Sequence, residues 1–169
     1  LTPAGAFAGS WSTDTSSGIG AAPVEAGARI PFGDNTIGRP LVIAIPPAVQ
    51  GAEVTLRIPL GPRAESLSAA DRRTLTGSVG TVSSDSDRIG VRLNGFQLSF
   101  ARRDRPSEAI PVGAVQAPPS GELIVFLAEH PTTGGYPVIG VVDAEDLGHL
   151  AQCAPGTRVR FAIRPAPVY

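Results

Sequence analysis

The densest run of specialised residues in the chain is His130-Pro131-Thr132-Thr133-Gly134-Gly135-Tyr136-Pro137. Adjacent glycines permit positive φ or close approach of backbone to a ligand, and prolines fix φ on either side. Two threonine hydroxyls and a tyrosine place donors and acceptors beside bare backbone. Two readings are open: a hairpin turn between the apolar runs 122–129 and 138–143, or a rigid loop presenting Thr132, Thr133 and the Gly134 and Gly135 amides to a small polar or anionic group. Further upstream, Asp85, Asp87 and Arg88 share one polar loop, which is either an ion-paired turn or a place where Arg88 grips a carboxylate or phosphate with both arms of its guanidinium. Gln116, set in an apolar stretch, needs partners if it is buried. Glu108 is a base or an ion-pair partner for Arg102 or Arg105. Asp14, among hydroxyl residues, caps a turn or binds a ligand.

Other chemistries are excluded by composition. All 14 basic residues are arginine, so Schiff-base chemistry, a P-loop and a serine–lysine amidase site are absent from this stretch. Two histidines and one cysteine, none at ligand spacing, make no familiar zinc site, and the acidic loop lacks the Gly and Glu positions of an EF-hand. The single cysteine, Cys153, allows no internal disulfide, fits a reducing, cytoplasmic compartment and reads as a buried structural thiol. A net charge of −1 offers no footprint for nucleic acid or an anionic membrane, and no apolar run approaches the ~18 residues of a bilayer span. The chain also lacks methionine and begins at Leu1, so a fragment or processed chain is expected.

The elements that must position these residues are mostly strands. Residues 1–50 are loop-rich, with one short apolar run at 41–45 stopped by Pro46-Pro47. Residues 51–169 change to short strands at regular spacing. Val54-Thr55-Leu56-Arg57-Ile58 alternates apolar and polar side chains, the period of a half-buried strand. Further strands are expected at 79–83, 89–93, 113–117, 123–128, 138–142 and 158–163. One helix is expected over 66–75, with Ser68 and Asp71 in a capping-box arrangement, and a second over 143–154, with Asp143 as cap and Leu147, Leu150 and Ala151 on one face. Glu108 and Gln116 are placed on the same strand. The economical architecture is mainly β: a closed or nearly closed antiparallel barrel with two short helices.

Read together, Ser84-Asp85-Ser86-Asp87-Arg88-Ile89-Gly90-Val91-Arg92-Leu93, Gly113-Ala114-Val115-Gln116-Ala117-Pro118-Pro119 and Pro131-Thr132-Thr133-Gly134-Gly135-Tyr136-Pro137 resemble the KipA family, also known as the C component of 5-oxoprolinase or "allophanate hydrolase subunit 2". They are similar too to the A–B part of the carboxyltransferase domain of urea carboxylase. The resemblance covers nearly the whole chain and departs from the family at Trp11, Ser120 and Glu129-His130. It implies a cyclophilin-like β-barrel over 51–169 and makes 1–50 the remnant of a preceding subdomain. It further implies part of a subunit that acts with a KipI-like partner, the B component of 5-oxoprolinase, in an ATP-dependent 5-oxoproline-cleaving complex on a small cyclic amide. One alternative is carboxyl transfer from carboxybiotin in a urea-type carboxylase; another is a non-catalytic antagonist that binds a KipI-like kinase inhibitor. This chain alone is expected to be inactive and to bind no cofactor or metal. Under the enzymatic reading Gln116, Tyr136, Glu108, Asp85 and Asp87 are the catalytic candidates, and Arg88, Thr132, Thr133, Gly134, Gly135 and Asp14 hold the substrate.

Overall fold

The computed structural model describes residues 13, 14, 17–20, 22, 24–29, 53–99 and 106–165. The chain divides into two units, Leu1–Pro47 and Ala48–Tyr169. In the first, Asp14 builds a tight turn: its amide donates to the Ile19 carbonyl at 2.9 Å, its Oδ2 accepts from the Ser17 hydroxyl at 2.8 Å, and Gly18 sits at φ 72°. The expected 41–45 strand lies outside the described residues, as do Trp11, Arg102 and Arg105.

The second unit opens with β1 (Glu53–Pro59), whose alternation buries Leu56 and Ile58 completely. A 3-10 turn (Pro62–Ser66) and α1 (Ala69–Gly77) follow. The capping box is present as expected: the Asp71 amide donates to the Ser68 hydroxyl and the Ser68 amide to the Asp71 carboxylate. Then come β2 (Gly80–Val82), β3 (Gly90–Asn94), β4 (Glu108–Ala109), β5 (Ala114–Gln116), β6 (Leu123–Phe126), β7 (Thr133–Gly134), β8 (Val138–Val141), α2 (Ala144–Ala151) and β9 (Arg158–Arg164). Asp143 stands at the N-cap of α2 but makes no capping bond. Its carboxylate is drawn instead to Arg164 and lies 3.7 Å from Arg57, so ion pairing has displaced the expected cap.

Seven strands form one sheet in the order β1-β9-β2-β3-β6-β5-β8. Every pairing is antiparallel except β1 with β9, which run parallel with Leu56 opposite Phe161. The two ends of the order meet at a bridge between Leu60 and Gly140, supported by the Gly61 amide donating to the Ile139 carbonyl at 3.0 Å. The sheet therefore curls toward a barrel, and the mainly-β expectation with two short helices holds. Inside it Leu56, Ile58, Leu93, Leu123, Val125, Ile139 and Val159 are fully buried, capped by Leu75 of α1 and Leu150 of α2. Each such side chain contributes about 1.5–3 kcal/mol. Among the described residues no helix is long and apolar enough to cross a membrane.

Helix α2 is tied to β1 by charge as well as by packing. Both oxygens of the Asp146 carboxylate accept from the Arg57 guanidinium, at 2.7 and 3.0 Å, and Oδ2 also takes the Arg57 amide at 2.8 Å. That guanidinium holds the buried Asp146 carboxyl below its usual range, against the upward push of burial.

Closure leaves no room at one position. A Cβ on Gly140 would lie 2.8 Å from the Pro59 carbonyl oxygen, a backbone atom held in the strand. Gly140→Ala is expected to destabilise the barrel by about 1–3 kcal/mol, seen in thermal unfolding as a Tm lower by about 3–10 °C. An unchanged Tm would show that the closing bridge can open without cost.

Candidate functional site

The Thr132–Tyr136 loop is not a hairpin turn. Strand β5 lies between β6 and β8, so the connection from β6 to β8 must cross a neighbour rather than reverse beside it. Along the way it forms a second, two-stranded ribbon with β4, in which Glu108 faces Gly134 and Ala109 faces Thr133; the Ile110 amide adds a bond to the Thr132 carbonyl at 3.1 Å.

A separate apolar cluster forms around Ile110, Ala114 and Phe126, with Ile124 and Val138 packed against it. The two faces of β5 explain it. Side chains alternate along a strand, so Val115 enters the main core while Ala114 and Gln116 point to the other face. Gln116 is only 2% exposed, and its Nε2 donates to the Tyr136 carbonyl at 3.0 Å. Gly134 lies directly over it. A Cβ there would be 3.1 Å from Gln116 Nε2 and 2.7 Å from Ile110 Cδ1, so glycine is what lets the ribbon settle onto the amide. Above the buried glutamine the Thr132, Thr133 and Gly135 residues are exposed, and Tyr136 is 48% exposed.

Glu108 sits at the edge of this group. Its Oε2 accepts from Nε and Nη2 of Arg63 at 3.0 and 2.8 Å, and the carboxylate raises the guanidinium pKa further. Arg63, in the 3-10 turn after β1, is thus the partner found where Arg102 or Arg105 was expected. The sequence around it, Gly61-Pro62-Arg63, signals only the end of a strand. Glu108 and Gln116 also fall on different strands, because Pro111–Gly113 turns the chain between them.

The structure thus brings Gln116, Glu108, Thr132, Thr133, Gly134, Gly135 and Tyr136 together around β4, β5 and β7. It places Asp85, Asp87 and Arg88 elsewhere. Asp87 Oδ1 accepts from the Ile89 and Gly90 amides at 2.9 and 3.1 Å, and the Asp85 amide donates to the Ser83 hydroxyl at 3.3 Å. Arg88 meets Glu129 across 3.5 Å, with both side chains exposed. Asp87 thus closes its own turn through backbone amides, and the salt bridge of Arg88 is to Glu129 in the loop after β6. Asp87 and Arg88 face a groove beside α2, which none of the Gln116 group lines. Asp14 belongs to the other unit.

Cys153 is half-buried rather than buried. Its thiol donates to the His149 carbonyl at 3.3 Å, and burial pushes its pKa up, away from the reactive thiolate. Among the described residues no three His, Cys, Asp or Glu side chains are grouped to hold a metal ion.

The Gln116 group offers a buried carboxamide, exposed hydroxyls, a phenol and bare glycine backbone within one loop-and-ribbon unit. Such a set donates hydrogen bonds to a carbonyl or carboxylate.

Residues 3–163 match the family model described as the carboxyltransferase domain, subdomains A and B. The chain is 32% identical over 157 residues to the C component of 5-oxoprolinase from Escherichia coli, covering 90% of this chain and 50% of that protein. It is 45% identical over 82 residues to the C component of 5-oxoprolinase from Haemophilus influenzae, covering 48% of this chain and 26% of that protein. The chain thus spans at most about half the length of either relative. The crystal structure of Kluyveromyces lactis urea carboxylase superimposes with a TM-score of 0.61 at 20% identity, over 66% of this chain and 11% of that one, a likeness of fold.

Proposed function

The chain belongs to the carboxyltransferase-domain family, subdomains A and B, and from that premise we propose that it is part of a subunit of a 5-oxoprolinase-type complex, where it forms one wall of a site for a small cyclic amide. Two relatives named as the C component of 5-oxoprolinase support the assignment to such a complex. The observation that carries the site is the buried Gln116 amide under Gly134, with exposed Thr132, Thr133, Gly135 and Tyr136 around it.

In this reading the substrate amide lies against the loop. As its carbonyl is attacked, negative charge gathers on oxygen, and preorganised donors stabilise that charge more than they stabilise the neutral ground state. The Tyr136 phenol, the threonine hydroxyls and the glycine backbone are the donors at hand. Gln116 holds the loop in register through the Tyr136 carbonyl. Glu108, oriented by Arg63, is the acid or base at the edge. ATP is assigned to other parts of the complex, since this stretch has no lysine with which to build a P-loop.

The test uses the full complex with its KipI-like partner, assayed with 5-oxoproline and ATP. Alanine at Gln116, Tyr136 or Glu108 is expected to lower kcat by about 100-fold for the strongest of the three, with the partner still co-purifying. Unchanged kinetics for all three would remove the site. Association without turnover in the wild type would favour the antagonist reading, and turnover that requires bicarbonate and urea would favour carboxyl transfer.

A further inference from the structure

The groove that Asp87 and Arg88 face is distinct from the Gln116 site and is unexplained by the function proposed for it. It measures about 650 Å³ and opens between α2 and the loops that precede β3 and follow β6. Its size lies in the range of small-molecule pockets. Val91 and Leu127 line it, together with Leu147, Gly148 and Ala151 on the α2 side. The charged side chains are confined to one rim, where Asp87, Arg88 and Glu129 stand.

The α2 side contains a residue that packing does not require. Gly148 is in the interior of α2, where glycine is less favourable than alanine. It is not among the glycines with positive φ, and a Cβ there would meet nothing within 4 Å. Neither conformation nor crowding calls for glycine. It leaves bare backbone where α2 lines the groove.

Charge indicates which kind of occupant would fit. Arg88 is already met by Glu129 at 3.5 Å. Asp87 uses Oδ1 for the Ile89 and Gly90 amides. Two carboxylates against one guanidinium leave the rim with one net negative charge beside an apolar trough.

We propose that this groove is a binding site for a small amphiphilic cation, its aromatic or branched aliphatic body against Leu147 and Ala151 and its amine or amidine head at the Asp87 rim. The apolar body is driven in by burial, and the head gains a charge-assisted hydrogen bond at the groove's edge. The inference stands on the groove alone and does not need the Gln116 reading.

The test titrates the full chain with 4-phenylbutylamine and, in parallel, 4-phenylbutyrate. Cys153 lines the groove and is the single cysteine, so its alkylation by iodoacetamide reports occupancy at a known place. The amine is expected to bind with a Kd on the order of 1 mM and to slow alkylation, while the carboxylate binds about tenfold more weakly. Ala151→Phe fills the trough and should abolish protection. Asp87→Asn keeps the Oδ1 acceptor for both amides, removes the charge, and should weaken the amine about tenfold. No saturable binding, equal affinity for amine and carboxylate, or an Asp87→Asn Kd equal to wild type would each overturn the proposal.

Discussion

Gly80→Ala is expected to be among the most damaging single-methyl additions this barrel can receive, at about 3 kcal/mol or more. The new Cβ would fall on the Phe96 ring and 2.6 Å from the Asn94 carbonyl oxygen. Neither neighbour can yield easily. Phe96 is completely buried and packs on Phe161 with ring centroids 5.1 Å apart, and Asn94 closes β3 opposite Thr81. The strain must be relieved by moving β2 away from β3 and β9, in the middle of the sheet order. A loss of that size is a large share of the ~5–15 kcal/mol that holds a domain together. The comparison that isolates the cause is Gly77→Ala, at the end of α1, where a Cβ meets nothing within 4 Å. Measured side by side in urea, the first variant should lose about 3 kcal/mol or more of its folding free energy, and the second should match or slightly exceed wild type. Similar midpoints for the two would show that Gly80 is not closely packed in solution.

The contrast between these glycines also shows what a sequence can reveal. Gly77 is legible, because a glycine after a capped apolar-periodic run reads as a helix end. Nothing local distinguishes Gly80 from a glycine in a turn; its requirement arises from Phe96, a residue beyond the next strand. The same division runs through the fold. Alternation in Val54–Ile58, the Ser68–Asp71 pair and the short apolar runs locate all seven strands of the main sheet and both helices, since those signals are set by neighbours in the chain. The order of the strands is not legible, and so the hairpin reading of the 130–137 loop fails: the insertion of β5 between β6 and β8 is decided by which apolar faces fit together. The ribbon of β4 and β7 escapes a reading of the sequence because two-residue strands carry no period.

The candidate site divides in the same way. Gln116 stands out through a local anomaly, an amide in an apolar strand, and the structure buries it with a partner from the very loop that is conspicuous for its glycines and prolines. Arg63 cannot be picked out, because it reaches Glu108 across 45 positions and lies in a segment whose only local message is a chain stop. Asp87 and Arg88 join the others only by family resemblance. In space their contacts are with the Ile89 and Gly90 amides and with Glu129.

Asp71→Asn should cost about 2–3 kcal/mol at neutral pH and should flatten the acid limb of the stability curve. The carboxylate is nearly completely buried and accepts three bonds: Oδ2 takes the Ser68 amide at 3.0 Å and its hydroxyl at 2.6 Å, and Oδ1 takes the Ser99 amide at 2.8 Å. The Asp71 amide in turn donates to the Ser68 hydroxyl in the same box. The Ser68 hydroxyl, then the Ser99 amide, hold the Asp71 pKa below the usual aspartate value, while burial pushes the other way. An asparagine can still accept from Ser99, but it turns an NH2 toward two donors on Ser68. The sign of the pH dependence follows from the lowered pKa. Above the unfolded-state value of about 3.9 the carboxylate's contribution is fully present; as pH falls through that value and on through the folded one, the unfolded chain takes up the proton more readily and the contribution is lost. Urea midpoints measured from about pH 7 down to about pH 2 should therefore fall less steeply for Asp71→Asn than for wild type. Some slope should persist, because Asp146 and Glu53 are also held below their usual range, each first of all by hydrogen bonding to an arginine. A variant with the full wild-type acid slope would mean that the box at the start of α1 is open in solution, and that the tie from α1 to Ser99 adds nothing to the barrel.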